Sequence, residues 1–393
     1  WLALRLPRHQ RPSMSGLSYL QEQASSSPSE EKHFTELSEF FKDKLWYQLT
    51  EKLLELLKVP HFQKSPNLVT LYTEFVKGFE KDINKLSLAQ FAIAASKQLE
   101  EYKEAIKFLD GIIDGAAKGE KQAETMCKME KVVRMVQASE LDGCPKLLEE
   151  SKTAMEEYKG IMDPVVHSSY YKSMFLYYKA RKDATKIFRN ALLYLSYTPI
   201  DKIPEGERVE FSNDVSVAAL AGKEIFNFGE LLERPVVKVL GDSKYNWVLG
   251  LLEAFSKGDI QAYDKIMSEQ KASQPLLSEN EKFLSTKVRI LRLMGLVFTR
   301  PSNERAITFK EIAQECDMKL DQVEYLVMKG FSLGVLKGII DQVDQTVTMT
   351  WVQPQVLTKD QIKGMGKRLK AWSEEVAKAT AEVEEHSKEI VQD

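Results

Sequence analysis

From residue 362 to residue 390 the chain places Ile362, Met365, Leu369, Trp372, Val376, Ala379, Val383, His386 and Ile390 at spacings of 3, 4, 3, 4, 3, 4, 3 and 4. No other feature limits the fold as tightly. A strict seven-residue repeat sits on one side of an α-helix, and a stripe this narrow fits a coiled-coil or bundle seam better than the broader face of a helix lying on its own core. Residues 357–393 are therefore expected to form a C-terminal bundle helix; a terminal helix folded back on its own domain is the alternative. Gly364 and Gly366 weaken the first turn, so tight contact is expected to begin near Leu369. Ala379 and His386 make a poor seam between identical chains, which favours a mixed bundle. His386 reads as a polar residue that sets register.

The segment before this helix changes period twice. Thr308 is placed to cap a helix with Glu311 answering three residues later, and Ile307 with Ile312 to staple its start. Phe309, Ile312, Ala313 and Cys316 then repeat at helical spacing, and after Asp317 a second helix is predicted to turn Leu320, Val323, Val327 and Phe331 toward the same core. Gly334 stops it. From Leu336 the period becomes two: Leu336 to Ile340, a polar turn, then Val347, Met349 and Trp351 alternating with Thr348, Thr350 and Val352. Helix, turn, helix and hairpin over 299–356 describe a winged helix.

Winged helices raise the question of nucleic acid. Between Arg305 and Gln353 there are five basic side chains (Arg305, Lys310, Lys319, Lys329, Lys337) against seven acidic ones (Glu311, Glu315, Asp317, Asp321, Glu324, Asp341, Asp344). A duplex reader needs cations on its second helix and wing, and this one offers Asp321, Glu324 and an acidic tip. The module reads as protein-binding, with a sheet edge that a neighbour's strand could extend. An RNA or DNA adaptor is the competing reading.

Residues 33–298 are helical in pattern almost throughout, beginning with a stripe of Phe34, Leu37, Phe41, Leu45, Leu49, Leu53 and Leu56. Breaks at Pro60 with Pro66, Gly115 to Gly119, Gly143 to Pro145, Gly160 to Pro164, Pro199 to Gly206, Arg234 to Pro235 and Gly258 cut the region into short helices. Helical hairpins without a sheet stack as an array, so the expected fold is mainly α: a right-handed, TPR-like helical-repeat array of degenerate period, then the winged helix, then the bundle helix. Leu284, Val288, Leu291, Met294 and Phe298 form its last long helix, which is expected to couple rigidly to the winged helix. Residues 1–32 read as a disordered lead-in, with a natural start at Met14 preferred over a basic transit peptide.

Chemistry is hard to find in this chain. The 55 basic and 58 acidic side chains nearly cancel, which removes any bulk electrostatic case for nucleic acid or an anionic membrane. Cys127, Cys144 and Cys316 are far apart, as expected for free thiols in a reducing compartment, and exclude a cysteine zinc motif of usual spacing. None of His9, His33, His61, His167 and His386 lies within four residues of another, so no histidine metal pair exists. Gly364, Gly366 and Lys367 lack the gap, the hydroxyl residue and the strand of a phosphate loop. Glu149 with Glu150, and Glu384 with Glu385, read as solvated faces. No apolar run is long enough to span a membrane. The expectation is a soluble, intracellular chain that is not an enzyme and holds no cofactor or metal. Its candidate contact residues are Met349, Trp351, Ile362, Met365, Leu369, Trp372, Val376, Val383 and Ile390.

An array, a winged helix and a terminal helix in that order resemble the PCI family, whose members scaffold the proteasome lid, the signalosome and translation initiation factor three. Phe298-Thr-Arg-Pro, Leu326-Val-Met-Lys, Gly334-Val-Leu-Lys-Gly and Met349-Thr-Trp-Val-Gln-Pro are most similar to its proteasome-lid members, as are Phe226-Asn-Phe-Gly-Glu-Leu-Leu and Lys44-Leu-Trp-Tyr-Gln-Leu-Thr upstream. The resemblance covers nearly everything after residue 33. Lys319 departs from it, standing where a capping Ser or Thr is expected. What the resemblance implies is a non-catalytic scaffold, in the cytoplasm and nucleus, whose winged helix joins others edge to edge and whose terminal helix enters a shared bundle. Its implied partners are a neighbouring PCI subunit, an MPN-type metalloprotease with its partner, and a ubiquitin receptor; a signalosome or initiation-factor scaffold stays open.

Overall fold

Pro199 and Pro204 flank a single 3-10 turn, Ile200–Lys202, and the chain divides there into two units, residues 1–203 and 204–393. A computed structural model describes residues 14–26, 31–59, 61–62, 66–241, 243–270, 274–300, 305–354 and 359–390, with the last helix's side chains from 362 to 385. The expectation of a continuous array over 33–298 differs from this division, because residues 204–298 fall in the same unit as the winged helix. The boundary falls in the break already marked by Pro199 to Gly206, one of several such breaks in the helical pattern, and nothing local distinguishes it from the others.

The first unit is all helix: α1 (Met14–Ser26), α2 (Glu31–Lys42), α3 (Trp46–Leu56), α4 (Asn67–Glu74), α5 (Lys85–Ser96), α6 (Tyr102–Asp114), α7 (Lys121–Gln137), α8 (Cys144–Glu156), α9 (Pro164–Ala180) and α10 (Ala184–Tyr197). Starts are marked by side-chain caps. Asn84 accepts from the amides of Leu86 and Ser87, Asp163 from that of Val165 ahead of Pro164, and Asp183 from that of Lys186. The core of α1 to α7 centres on Phe41, whose ring meets Phe75 and Phe79 at 5.3 Å each and Trp46 at 6.0 Å. A second cluster joins Met129 and Val132 of α7, Cys144 and Leu148 of α8, and Tyr170 and Tyr177 of α9.

Two expectations are corrected here. The segment after Met14 is no loose lead-in: α1 packs on α2, and Leu20 is 1% exposed within the aromatic core. Its polar composition hid an amphipathic helix that needs only a few apolar contacts once a groove is available. Residues 1–13 and 27–30 lie outside the described residues. The stripe from Phe34 to Leu56 is two helices, because Lys44 takes a left-handed turn at φ 55° and Leu45 is exposed beside it.

The second unit begins with α11 (Glu205–Ala221), α12 (Phe228–Glu233), α13 (Pro235–Lys238), α14 (Asn246–Lys257), α15 (Ile260–Gln270), α16 (Pro275–Glu279) and α17 (Glu281–Thr299). Lys287 of α17 is fully buried. Its Nζ donates to the carbonyls of Ala219, Leu220 and Gly222 at 3.1, 2.8 and 2.7 Å and sits over the rings of Phe226, Phe228 and Phe283 at 5.3, 4.9 and 5.7 Å. Burial pushes the amine well below its usual range. Three carbonyls at a helix C-terminus nevertheless match the three N–H bonds of an ammonium, and the rings present their negative faces to it.

The chain then forms β1 (Ala306–Thr308), α18 (Phe309–Glu315), a 3-10 turn over Leu320–Gln322, α19 (Val323–Ser332), β2 (Leu336–Asp341), β3 (Thr346–Val352) and α20 (Lys359–Ile390). The sheet is antiparallel in the order β1–β3–β2, with Ile307 opposite Val347 and Leu336 opposite Val352. Strand β1 went unread in the sequence because three residues carry no periodicity. Thr308 caps α18 as expected, its Oγ1 accepting from the Glu311 amide at 3.3 Å. The Glu311 carboxylate pairs with Arg300 of the preceding segment. With Arg292 to Glu315 at 2.6 Å and Arg289 Nε to the Cys316 carbonyl at 3.2 Å, three arginines fasten α17 to α18.

Candidate protein-interaction surfaces

Helix α20 contains 32 residues and so extends roughly 48 Å at the usual rise. Every described side chain from Ile362 to Glu385 is exposed except the position of Gly364. Ile362, Met365, Leu369, Trp372, Val376 and Val383 stand along one stripe in water, Trp372 at 65% exposure. The folded-back alternative is not what the structure shows for these residues. The side chains of His386 and Ile390 lie outside the described residues. An isolated helix gains little from propensity alone, and its apolar face is what normally holds it in place. Covering these six side chains is worth on the order of 10 kcal/mol before the costs of association.

The winged helix presents a second surface. Gly334, at φ 70°, ends α19: the amide of Val335 donates to the Gly330 carbonyl at 3.3 Å and that of Gly334 to Phe331 at 3.0 Å. Lys319 supplies no side-chain cap, and the second helix accordingly opens as a 3-10 turn before Val323. The predicted inward set also needs correction. Val323 and Val327 are buried, but Leu320 is exposed and Phe331 half-buried, while Leu326 and Gly330 complete the core face.

On β3 the strict alternation fails at one residue. Lys337 pairs with Trp351 and Gly338 with Met349, so Thr350 is an extra residue in β3, and its Oγ1 donates to the Lys337 carbonyl at 3.1 Å. Gly338 permits this close approach, since a Cβ there would stand 2.4 Å from the Thr348 carbonyl oxygen. Past the bulge, Trp351 turns outward to 38% exposure under the Lys337 ammonium, 5.2 Å from its ring. Met349, before the bulge, is 2% exposed inside the module's core. Met349 is therefore a packing residue and not an outer contact, whereas Trp351 is available.

The sequence reading missed Tyr325 and Met328 on α19, Ile339 on β2 and Val343 at the wing tip, all exposed. A signal for them existed: Val323, Tyr325, Leu326, Val327, Met328 and Phe331 give α19 more apolar side chains than one core-facing stripe can hold. The tip itself is fixed. The Asp341 carboxylate accepts from the amides of Val343 and Asp344 at 3.0 Å each, and Gln342 donates to Glu324 at 3.2 Å. With Asp321 and Glu324 on the second helix, this face is apolar and acidic, an unfavourable surface for phosphates. Strands β1 and β2 form the sheet's edges.

Among the described residues no three His, Cys, Asp or Glu gather into a metal-holding cluster, and no helix is long and apolar enough to cross a membrane. The three cysteines are buried and free. Burial pushes the thiols of Cys127 and Cys316 up to about 12 and that of Cys144 upward, which removes reactive thiolate at neutral pH.

Known proteins share this organisation. Residues 33–252 match the PSD13 N-terminal repeats, 260–351 the PCI domain and 355–387 the Rpn9 C-terminal helix. The 26S proteasome non-ATPase regulatory subunit 13 homolog B of Arabidopsis thaliana is 34% identical over 96% of this chain and 100% of its own length. Subunit 13 of Dictyostelium discoideum is 32% identical over 95% of this chain and 98% of its own, and the regulatory subunit RPN9 of Saccharomyces cerevisiae 31% over 93% and 95%.

Proposed function

Because the chain belongs to the PSD13/Rpn9 family of 26S proteasome regulatory subunits, we propose that it is built into the lid through the seam of α20 and the outer edge of its winged helix. It is a non-catalytic structural subunit of the regulatory lid. The observation that carries the contact reading is the bare stripe of α20, whose described apolar side chains are exposed among the described residues. A mixed helical bundle covers such a stripe on both sides, and Ile362, Met365, Leu369, Trp372, Val376, Val383 and Ile390 are its contact residues. On the winged helix, Trp351 and the β2 edge meet a neighbouring PCI subunit. The MPN-type metalloprotease with its partner, and a ubiquitin receptor, complete the proposed surroundings, and the proposed compartments are the cytoplasm and nucleus.

Removal of residues 358–393 tests this directly. The truncated chain is expected to fold, as judged by its circular dichroism and melting, and to be missing from the lid on native gels. Normal incorporation would overturn the role given to α20. The double substitution Leu369→Glu with Trp372→Glu is expected to give the same loss while keeping the helix. Because neither residue supports the chain's own core, retained incorporation of that variant would also count against the seam.

A further inference from the structure

Helices α8, α9 and α10 enclose an open groove of about 710 Å³ that lid assembly through α20 does not use. Its floor is one face of α9. His167, Tyr171, Met174 and Tyr178 follow one another at four, three and four residues, all half-buried, over a span of roughly 17 Å. Tyr197 of α10 stacks on Tyr171 at 5.7 Å and on His167 at 4.8 Å, each pair within 13° of parallel, making a stiff aromatic shelf at one end. Tyr171, Met174 and Tyr178 continue the core cluster of α7 to α9 outward to solvent, where a folded domain would ordinarily place charge.

The walls differ in sign. Toward α10 stand Arg181, Lys186 and Arg189; toward α8 stand Glu149 and Glu156, with Lys152 engaged to Glu156 at 3.9 Å. Lys186 lies 4.9 Å above the Tyr178 ring and 3.5 Å from Asp183, and Arg181 donates to the Tyr177 hydroxyl at 2.9 Å. Arg189 is exposed and has no hydrogen bond or ion pair among the described residues. Aromatic rings with a neighbouring unpaired guanidinium are the composition that recurs at protein-binding hot spots.

We propose that this groove docks a short, extended, acidic segment of a partner protein, its bulky apolar side chains on Tyr171, Met174 and Tyr178 and its carboxylates facing Lys186 and Arg189. About five extended residues match the length of the floor. A carboxylate pairs with Arg189 in bidentate geometry, and repulsion from Glu149 and Glu156 keeps the segment's acidic side chains on the α10 wall. The groove lies wholly within the first unit, so this docking stands or falls independently of α20.

The test uses the full chain and a fluorescein-labelled hexapeptide alternating acidic with bulky apolar residues, followed by anisotropy at low and physiological salt. Binding is expected, with a dissociation constant raised at least tenfold by Lys186→Glu with Arg189→Glu, and raised similarly when every acidic residue of the peptide becomes its amide. Arg189→Ala alone is expected to weaken binding severalfold without changing the melting temperature, which separates loss of contact from loss of fold. Equal binding of the amide peptide, unchanged binding by the charge-reversed chain, or preferential binding of a labelled single-stranded oligonucleotide would each overturn the proposal.

Discussion

Helices α17 and α20 both carry apolar side chains at helical spacing, and only one of them is covered. In α17 the buried positions are Leu284, Lys287, Val288, Ile290, Leu291, Leu293, Met294 and Val297, a face wide enough to meet the array helices on one side and the winged helix on the other. In α20 the large apolar side chains keep to the two seam places of each heptad, and all the described ones are in water. Breadth, and not hydrophobicity, separates a helix meant for its own core from one meant for another chain. The lesson is that a stripe's width can be read before any contact is known.

Four experiments break or sharpen this contrast, the first through the residue that makes α17 least replaceable. Lys287→Ala leaves three carbonyls without donors and a cavity among three rings, and is expected to cost about 4 kcal/mol or more in chemical denaturation; a loss under about 1 kcal/mol would mean that water replaces the amine at no cost. Leucines on the two helices make a matched pair. Leu291→Ala is expected to destabilise the chain by about 3 kcal/mol, whereas Leu369→Ala changes its stability by less than about 0.5 kcal/mol and instead weakens entry into the lid. Equal melting shifts for the pair would erase the distinction between them.

Alkaline pH probes the same buried interior. Burial raises Cys127 and Cys316 from 9.0 to about 12 and Tyr170 from 10.0 to about 12. The unfolded chain gives up these protons first, so each group's support for the fold is intact below its unfolded value and is lost as pH rises through its folded one. Urea midpoints are therefore expected to fall between about pH 9 and 12, by the same amount with or without residues 358–393; a decline that vanished with α20 would locate the responsible groups wrongly. The smallest effect is assigned to Gly334→Ala, whose left-handed φ of 70° should cost about 1 kcal/mol and leave the lid contacts intact. A stabilising result would show that the stop at α19 does not depend on that conformation.

Much of the winged helix was legible in its residues. Thr308, the Phe309 to Cys316 stripe, the Gly334 stop and the change of period at Leu336 all took their expected roles, because each depends on local chemistry within a few residues. What escaped depends on partners distant in sequence. Thr350 bulges only because β2 pairs across it, and that single extra residue decides that Trp351 faces out while Met349 stays in. Lys44 turns left-handed without glycine to announce it, so two helices read as one. In α1 a polar tract became structure through Leu17 and Leu20 once the cluster of α2 to α5 offered them a place. The seam of α20 was the easiest element to read, and from Ile362 to Val383 it has no cover among the described residues.

That seam has a directional consequence. Seven residues of a straight α-helix fall short of two full turns, by about 20° per heptad. Three heptads separate Ile362 from Val383, so on a straight α20 the two ends of the stripe face compass bearings about 60° apart. A single companion helix follows the stripe only by winding around it in a left-handed supercoil. Companions that remain straight must instead divide it, one holding the stretch near Ile362 and another the stretch near Val383.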